Sequence, residues 1–422
     1  MSYLRLARKV RREILEPEES NTHAIDGLRG LAIVTVVLFH CALFLGFLTR
    51  PGLYEDSQPW IVFLARNGWS GVTIFFVISG FLIGSILIKE IHHEKRLYFA
   101  SFFIKRSFRI FPAYYLVITI SLFLIAPLGL PAFNFMYSTG NWQELFSGSW
   151  ASYLYVQNYV NPGHEPSILS WGWSLSVEEQ FYVLIPPTLL LIFKSTSERV
   201  RLFAVVGLVC LPVIARTAHY LADPNLTILK GFYYYSHNRF DEILVGVVIA
   251  YFHVVYPAQL RRICGLWGNW LGVAGLIGFI VVWSYGSVFR SNLFTVVFQF
   301  LVMALSTGLI LLNCLYRPNL LTRFFSHRFW YPVARVSYGI YLIHPFVLFG
   351  LMQLFAGHIN FTKSSAFGLF LIYLAVLSIT WVLSAIMFLM LERPMLVMGA
   401  KLAKKSRPDR LEAGTPKRSA TM

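Results

Sequence analysis

The fold turns on one stretch: Ile25-Asp26-Gly27-Leu28-Arg29-Gly30-Leu31-Ala32-Ile33-Val34-Thr35-Val36-Val37-Leu38-Phe39-His40-Cys41-Ala42-Leu43-Phe44-Leu45-Gly46-Phe47-Leu48. It exceeds the roughly 20 mostly apolar residues that cross a hydrocarbon core about 30 Å thick. Three ionisable groups interrupt it: Asp26, Arg29 and His40. A charge at mid-bilayer costs at least about 2.5–3.5 kcal/mol on insertion scales, so each such group marks a place where function is expected. Arg29 precedes His40 by eleven residues. At about 100° per residue this brings both within roughly 20° of one helix face, about 16 Å apart along the axis.

Similar runs recur along almost the whole chain. Of its 422 residues 56% are hydrophobic and 13% charged, a surface no soluble domain of this length tolerates. The pattern predicts an all-α, polytopic membrane protein of about ten spans: Ile25–Leu48, Trp69–Glu90, Phe111–Leu130, Trp171–Phe193, Leu202–Leu221, Phe240–Tyr256, Leu266–Tyr285, Leu293–Tyr316, Tyr331–Leu354 and Ala366–Leu391. Basic residues cluster before the first span, after every second span and in the C-terminal tail. By the positive-inside rule those loops and both termini are cytosolic. The net charge of +16 then belongs to the inner membrane surface, without a nucleic-acid partner. A single membrane domain, 25–394, is expected between a basic cytosolic tail, 1–24, and a basic tail, 395–422, whose end from Lys401 is expected to be disordered.

No cleavable leader is read at the N-terminus. The dispersed Cys41, Cys210, Cys264 and Cys314 suggest neither a disulfide framework nor a zinc site, and no metal is expected. The long segment from Pro131 to Ser170 is rich in Trp and Tyr, so it is expected to pack at or dip into the interface. Gly80 and Gly84 have the spacing of close helix packing. Asn225-Leu-Thr227 and Asn360-Phe-Thr362 match a glycosylation triplet that also occurs by chance.

The fourth span opens Ser170-Trp-Gly-Trp-Ser-Leu-Ser-Val-Glu178-Glu-Gln-Phe-Tyr182. Counting about 1.5 Å per residue from each outer end, Glu178 and His40 fall at about equal depth, 10–12 Å, which allows a His–Glu contact. A neutral imidazole suits the removal of a proton from a hydroxyl attacking a carbonyl, with a carboxylate orienting it. The alternative is a histidine that ties two helices together. Ser337-Tyr-Gly-Ile-Tyr341-Leu-Ile-His344-Pro345, which includes Tyr341, sets His344 in the outer half of the ninth span, where it is either part of the same cavity or structural. After the second span, Lys105-Arg106-Ser-Phe-Arg109 sits among aromatics and can hold a phosphate-rich nucleotide such as coenzyme A. Ordinary positive-inside charge accounts for it equally well. His237-Asn-Arg239-Phe-Asp241-Glu242 is either a solvated cap or a place for an acceptor hydroxyl, with Arg239 as the binding group.

Five ordered motifs carry a resemblance: Asp26-Gly-Leu-Arg29-Gly-Leu-Ala with His40; Phe75-Phe-Val-Ile-Ser-Gly-Phe-Leu82; Arg106-Ser-Phe-Arg109-Ile-Phe-Pro112; Trp173-Ser-Leu-Ser-Val-Glu178-Glu-Gln-Phe-Tyr182; and Ser337-Tyr-Gly-Ile-Tyr341-Leu-Ile-His344-Pro345. From about Ile25 to Pro394 the chain resembles acyltransferase family 3, the membrane acyltransferases that include O-antigen and other polysaccharide O-acetylases. The resemblance implies functional roles for Arg29, His40, Arg106, Arg109 and Glu178. It implies acetyl-CoA, or another acyl-CoA, as cytosolic donor and a carbohydrate or lipid-linked glycan as acceptor. It further implies a bacterial inner membrane and, since some members carry a fused esterase-like domain, a second protein for any further transfer step.

On this basis His40 and Glu178 are the expected catalytic pair. Arg29, Arg106 and Arg109 are expected to bind the donor, and Arg239, Tyr341 and His344 the acceptor. The rival from another class is a proton-coupled transporter or a lipid or glycan flippase, in which the same buried groups relay protons.

Overall fold

The computed structural model describes residues 11–16, 23–46, 60–160, 166–223, 225–289, 291–355 and 366–407. They form helices and turns, and no strand occurs among them. The long helices are α1 (His23–Phe44), α2 (Ser70–Glu94), α3 (Phe99–Ile120), α4 (Trp173–Lys194), α5 (Glu198–Ala222), α6 (Ser236–Val255), α7 (Pro257–Tyr285), α8 (Phe294–Tyr316), α9 (Ser337–Leu354) and α10 (Ala366–Met387). Among the described residues nine helices are long and apolar enough to cross a bilayer, which makes this an all-α multi-pass membrane protein. The tenth expected span, α6, has 20 residues but carries Arg239, Asp241 and Glu242 in its first two turns. All three are fully buried, so protein and not lipid surrounds these charges.

The helices sort by what surrounds them. α1, α2, α6 and α8 form the centre, where Val37, Val77, Val247 and Phe300 are completely buried. α5 and α7 lie at the edge and expose Phe203, Leu211, Ile214, Trp267, Trp270 and Ile280, side chains suited to lipid tails. Packing in the bilayer gains little from hydrophobicity and depends on close approach, for which small residues are needed. At the α2–α6 crossing a Cβ on Gly80 would stand 1.9 Å from the Ile243 carbonyl oxygen, and one on Gly246 2.1 Å from that of Val77. Gly84 faces Val247 and Ala250 at the same seam.

Several boundaries depart from the hydropathy pattern. α3 starts at Phe99, twelve residues before the expected Phe111, so Arg106 and Arg109 sit inside a helix and not in a loop. Alternating aromatics and cations from Tyr98 to Pro112 lower the mean apolarity, yet they suit a helix whose polar face borders a cavity. α7 likewise starts at Pro257 and not Leu266; proline is tolerated there because the first helical N–H groups have no intrahelical partner.

At the other end of the chain, α10 runs on through a π-helical turn, Phe388–Glu392, into α11 (Arg393–Lys405). Residues 401–405 of the expected disordered tail are therefore helical, because α11 packs Gly399 against Phe108 of α3. Its ends are tied down by Arg393 to Glu13, and by Arg407 to Glu90. Residues 408–422, 1–10 and 17–22 of the expected tails lie outside the described residues, as does Asn360.

The aromatic segment after α3 folds back onto the bundle as four short helices between Pro131 and Val160. Tyr114 Oη donates to the Ser152 carbonyl at 2.8 Å, and Gln180 Nε2 to that of Tyr155 at 2.8 Å. The segment thus covers the beginning of α4, where Leu169, Trp171 and Trp173 are buried. Cys41, Cys210, Cys264 and Cys314 are all free thiols.

Candidate active site

Arg106 and Arg109 are three residues apart on α3, hence on one face. They meet Arg29 of α1 and Glu178 of α4 around a small cavity of about 110 Å³, with Ser79 and Tyr182 in its wall. Three cations thus surround one carboxylate. Glu178 interacts electrostatically with Arg106, Arg29 and Arg109 and lies beside Ser79. Ser79 Oγ is 2.7 Å from Tyr182 Oη, and the Arg106 guanidinium lies over the Tyr182 ring, 5.7 Å from its centre. Arg29 Nε is buried with no hydrogen-bond partner. Buried donors are almost always satisfied, so an orphan in a cation-lined wall fits an anionic ligand. The cavity shares Arg29, Arg109, Ser337 and Tyr338 with a vestibule of about 240 Å³ that also includes Arg335 and Glu392.

His40, eleven residues further along α1, borders a different and larger cavity of about 680 Å³, walled by Trp171, Trp173, Tyr233, Tyr234 and Tyr341 with aliphatic side chains. Its Nδ1 is 2.7 Å from Nε2 of His344 on α9, and Nδ1 of His344 is 2.9 Å from the carbonyl oxygen of Ile340. This chain has one polarity when both rings are neutral. A carbonyl only accepts, so His344 Nδ1 carries hydrogen and its Nε2 a lone pair. His40 Nδ1 must then donate, which leaves His40 Nε2 as the basic nitrogen on a ring that borders the large cavity. The arrangement can accept a proton from a hydroxyl in that cavity.

The expected His40–Glu178 contact does not form, because the two side chains border separate cavities. The depth count placed the start of α4 at the membrane surface. The start is in fact sunk under the aromatic segment, and Tyr341 of α9 donates to the Trp171 carbonyl at 2.5 Å, one turn from His344. Trp171 is therefore already level with the histidine pair, and Glu178 lies further along, among the arginines.

Arg239 is not at a surface. It is fully buried and paired with Glu242; its Nη1 donates to the Tyr233 carbonyl at 2.8 Å, and its guanidinium lies 4.1 Å from the Phe300 ring centre and 5.1 Å from that of Trp173. Arg216 and Asp241 form a second fully buried pair alongside, at 2.7 Å. These contacts occupy Arg239 and leave no face of it for an acceptor. His344 is likewise fully buried, behind His40. Tyr341 borders both cavities. Ser79, Tyr182 and Arg335 escaped the sequence reading. The first two lie within motifs that carry the resemblance, which was the available signal, whereas Arg335 lies inside the expected ninth span, four residues from its start, and in none of the motifs.

Comparison with known proteins gives one family model, described as an acyltransferase domain, which matches residues 22–389. The chain is 28% identical over 337 residues to peptidoglycan O-acetyltransferase OatA of Listeria monocytogenes, covering 76% of this chain and 48% of that one. It is 27% identical over 334 residues to putative peptidoglycan O-acetyltransferase YrhL of Bacillus subtilis, covering 76% and 47%. It is 24% identical over 339 residues to O-acetyltransferase OatA of Staphylococcus aureus, covering 77% and 50%. The chain therefore spans about half the length of the curated relatives it matches. No solved structure is significantly similar to it. The motifs that surround the two cavities fall within the matched region, and on that match the chain belongs to the acyltransferase-domain family.

Proposed function

We propose that this chain is a membrane O-acetyltransferase that takes acetyl from acetyl-CoA on the Arg29 side and delivers it to a hydroxyl of a glycan on the His40 side. One observation carries the reading: a cation-lined cavity and a cavity with a poised imidazole share a wall inside one bundle. The side that holds the donor is taken as cytosolic from the positive-inside charge, and the acceptor as a peptidoglycan-type glycan from the names of the relatives.

In this reading the coenzyme phosphates lie against Arg106, Arg109, Arg29 and Arg335, where guanidinium groups bind phosphate bidentately. The pantetheine arm runs along α1 within the roughly 16 Å of helix rise that separates Arg29 from His40, so that the acetyl carbonyl meets the hydroxyl at the wall the two cavities share. The glycan hydroxyl gives its proton to His40 Nε2 while its oxygen attacks the thioester carbonyl carbon. The carbon–sulfur bond breaks, the thiolate recovers the proton, and an acetyl ester and free coenzyme A remain. His344 Nε2 accepts from Nδ1 of the transient imidazolium, which spreads its charge. Glu178, placed among arginines, limits their mutual repulsion when no donor is bound.

The test is reconstitution in vesicles with acetyl-CoA and soluble peptidoglycan fragments, with thiol release and base-labile acetyl on the glycan measured together. Equal amounts of both are expected, and neither with His40→Ala at unchanged folding by size exclusion. Full acetylation by that variant, or no glycan ester with the unaltered protein, rejects the proposal.

A further inference from the structure

The two cavities have only Val72 and Tyr341 in common among their lining residues. Both are buried, at 6% and 7% exposure. Tyr341 is held from both sides of its hydroxyl: Ser174 Oγ lies 2.5 Å away, and the hydroxyl donates to the Trp171 carbonyl at 2.5 Å. A donor of one hydrogen that gives it to a carbonyl must accept from the serine, so the hydroxyl's proton is committed within the protein. It has no proton left to donate to a substrate. Tyr341 thus lines both the cavity that holds the cations and the cavity that holds the imidazole.

A membrane protein with polar cavities in file also has to stay closed. From the vestibule at Arg335, through the chamber at Arg106, to the cavity at His40, successive cavities share lining residues. Were they continuous, water and protons would cross the bilayer. The chamber walls beside the septum are apolar, with Phe75, Phe76, Ile78 and Leu175 next to the arginines. Such a wall suits a short acyl tail and rejects a longer one only if its far end is shut.

We infer that Tyr341, with Val72, is the septum between the donor and acceptor cavities and sets the acyl length: only a two-carbon acyl group passes its edge, and it keeps the thioester away from water on the far side. This rests on the acetyl-transfer reading above and deepens it, because it moves Tyr341 from the acceptor contacts to a specificity-determining position. The tyrosine takes no proton in the reaction. It acts by bulk and by the two hydrogen bonds that fix its ring.

The experiment compares acetyl-, propionyl- and butyryl-CoA in vesicles, with and without glycan, for Tyr341→Ala, Val72→Ala and Tyr341→Phe. Acyl transfer and acceptor-free hydrolysis, in which water replaces the glycan oxygen and yields the free acid and coenzyme A, are read separately. With Tyr341→Ala the butyryl-to-acetyl rate ratio should rise by about tenfold or more, the discrimination a methylene-sized wall supplies, and hydrolysis should rise with it. Val72→Ala should move both in the same direction by less. Tyr341→Phe keeps the ring but loses both hydrogen bonds that fix it, so its acyl preference should fall between those of the unaltered protein and Tyr341→Ala.

Unchanged selectivity and coupling in a folded Tyr341→Ala overturns the inference, and so does parallel loss of acetyl and butyryl transfer. If Tyr341→Ala fails to fold, Val72→Ala alone decides by the same two readouts. A donor-free arm separates this inference from the reading it rests on. Ser79→Cys, made in a background without the native cysteines, should resist a membrane-impermeant maleimide applied to the His40 side and become reactive once Tyr341→Ala is added. Labelling equal in both rejects the septum, whereas protection followed by reactivity supports it even if no acyl-CoA is turned over.

Discussion

His40 and His344, on helices α1 and α9, stand with Nδ1 of the first 2.7 Å from Nε2 of the second and their ring planes 15° apart. The Ile340 carbonyl, 2.9 Å behind His344, fixes the direction of the chain and with it which nitrogen of His40 is basic. The partner that sets the tautomer is thus another imidazole and not a carboxylate. A neutral partner suits a site this deep, because an ionised one would need its own counter-charge.

His344→Ala should lower kcat for acetyl transfer by about tenfold to hundredfold, within the usual worth of acid–base assistance, because His40 loses its preferred tautomer. KM for acetyl-CoA should not move, since His344 does not border the cation-lined cavity. Steady-state kinetics on the reconstituted protein check the split.

Arg106→Gln and Arg109→Gln should act the other way. Each removes a charge-assisted contact worth about 1.5–3 kcal/mol, so KM for acetyl-CoA should rise by roughly tenfold to hundredfold, while the reactivity of His40 is unaffected. Arg106→Lys should recover less than half of the loss on a logarithmic scale, because lysine cannot reproduce the planar stacking over Tyr182. Titration of acetyl-CoA at saturating glycan reads these shifts.

Arg239→Met should destabilise the protein and not merely weaken acceptor binding. It leaves Glu242 buried without its partner, a loss of about 3–5 kcal/mol, visible as a lower thermal midpoint in fluorescence-detected size exclusion. The double variant Arg239→Met with Glu242→Leu should regain much of that stability. Normal stability of the single variant with an altered KM for glycan would restore Arg239 to the acceptor site.

Gly80→Ala puts a methyl group where 1.9 Å separates it from the Ile243 carbonyl, and overpacking of that kind costs about 1–3 kcal/mol. Gly207→Ala on the lipid-facing α5 has nothing within 4 Å and serves as the control. The same thermal assay should show a clear fall for the first and none for the second.

The all-α multi-pass character was legible from apolar runs alone, because in a bilayer the backbone must satisfy its own hydrogen bonds and length becomes diagnostic. The tight α2–α6 seam was legible in part, as Gly80 and Gly84 showed their spacing though not their partner, Gly246. The start of α3 was not, because Arg106 and Arg109 resemble loop charges unless it is known that a cavity faces them. The meeting of His40 with Glu178 failed for a related reason. Counting from a helix end gives depth only when that end is at the surface, and the start of α4 lies beneath a folded segment.

Taken by itself, the sequence determined the class of the protein, the identity of its costly buried groups and the spacing of Arg29 and His40 along one helix face. Those follow from the covalent order and the constant rise of a helix. Only the tertiary structure decided that His40 pairs with His344, that Glu178 joins the arginines, that Arg239 is occupied by Glu242, and that Tyr341 stands between two cavities. Each of these depends on how separate helices are set in depth and rotation, which packing between distant parts of the chain determines and no single segment encodes.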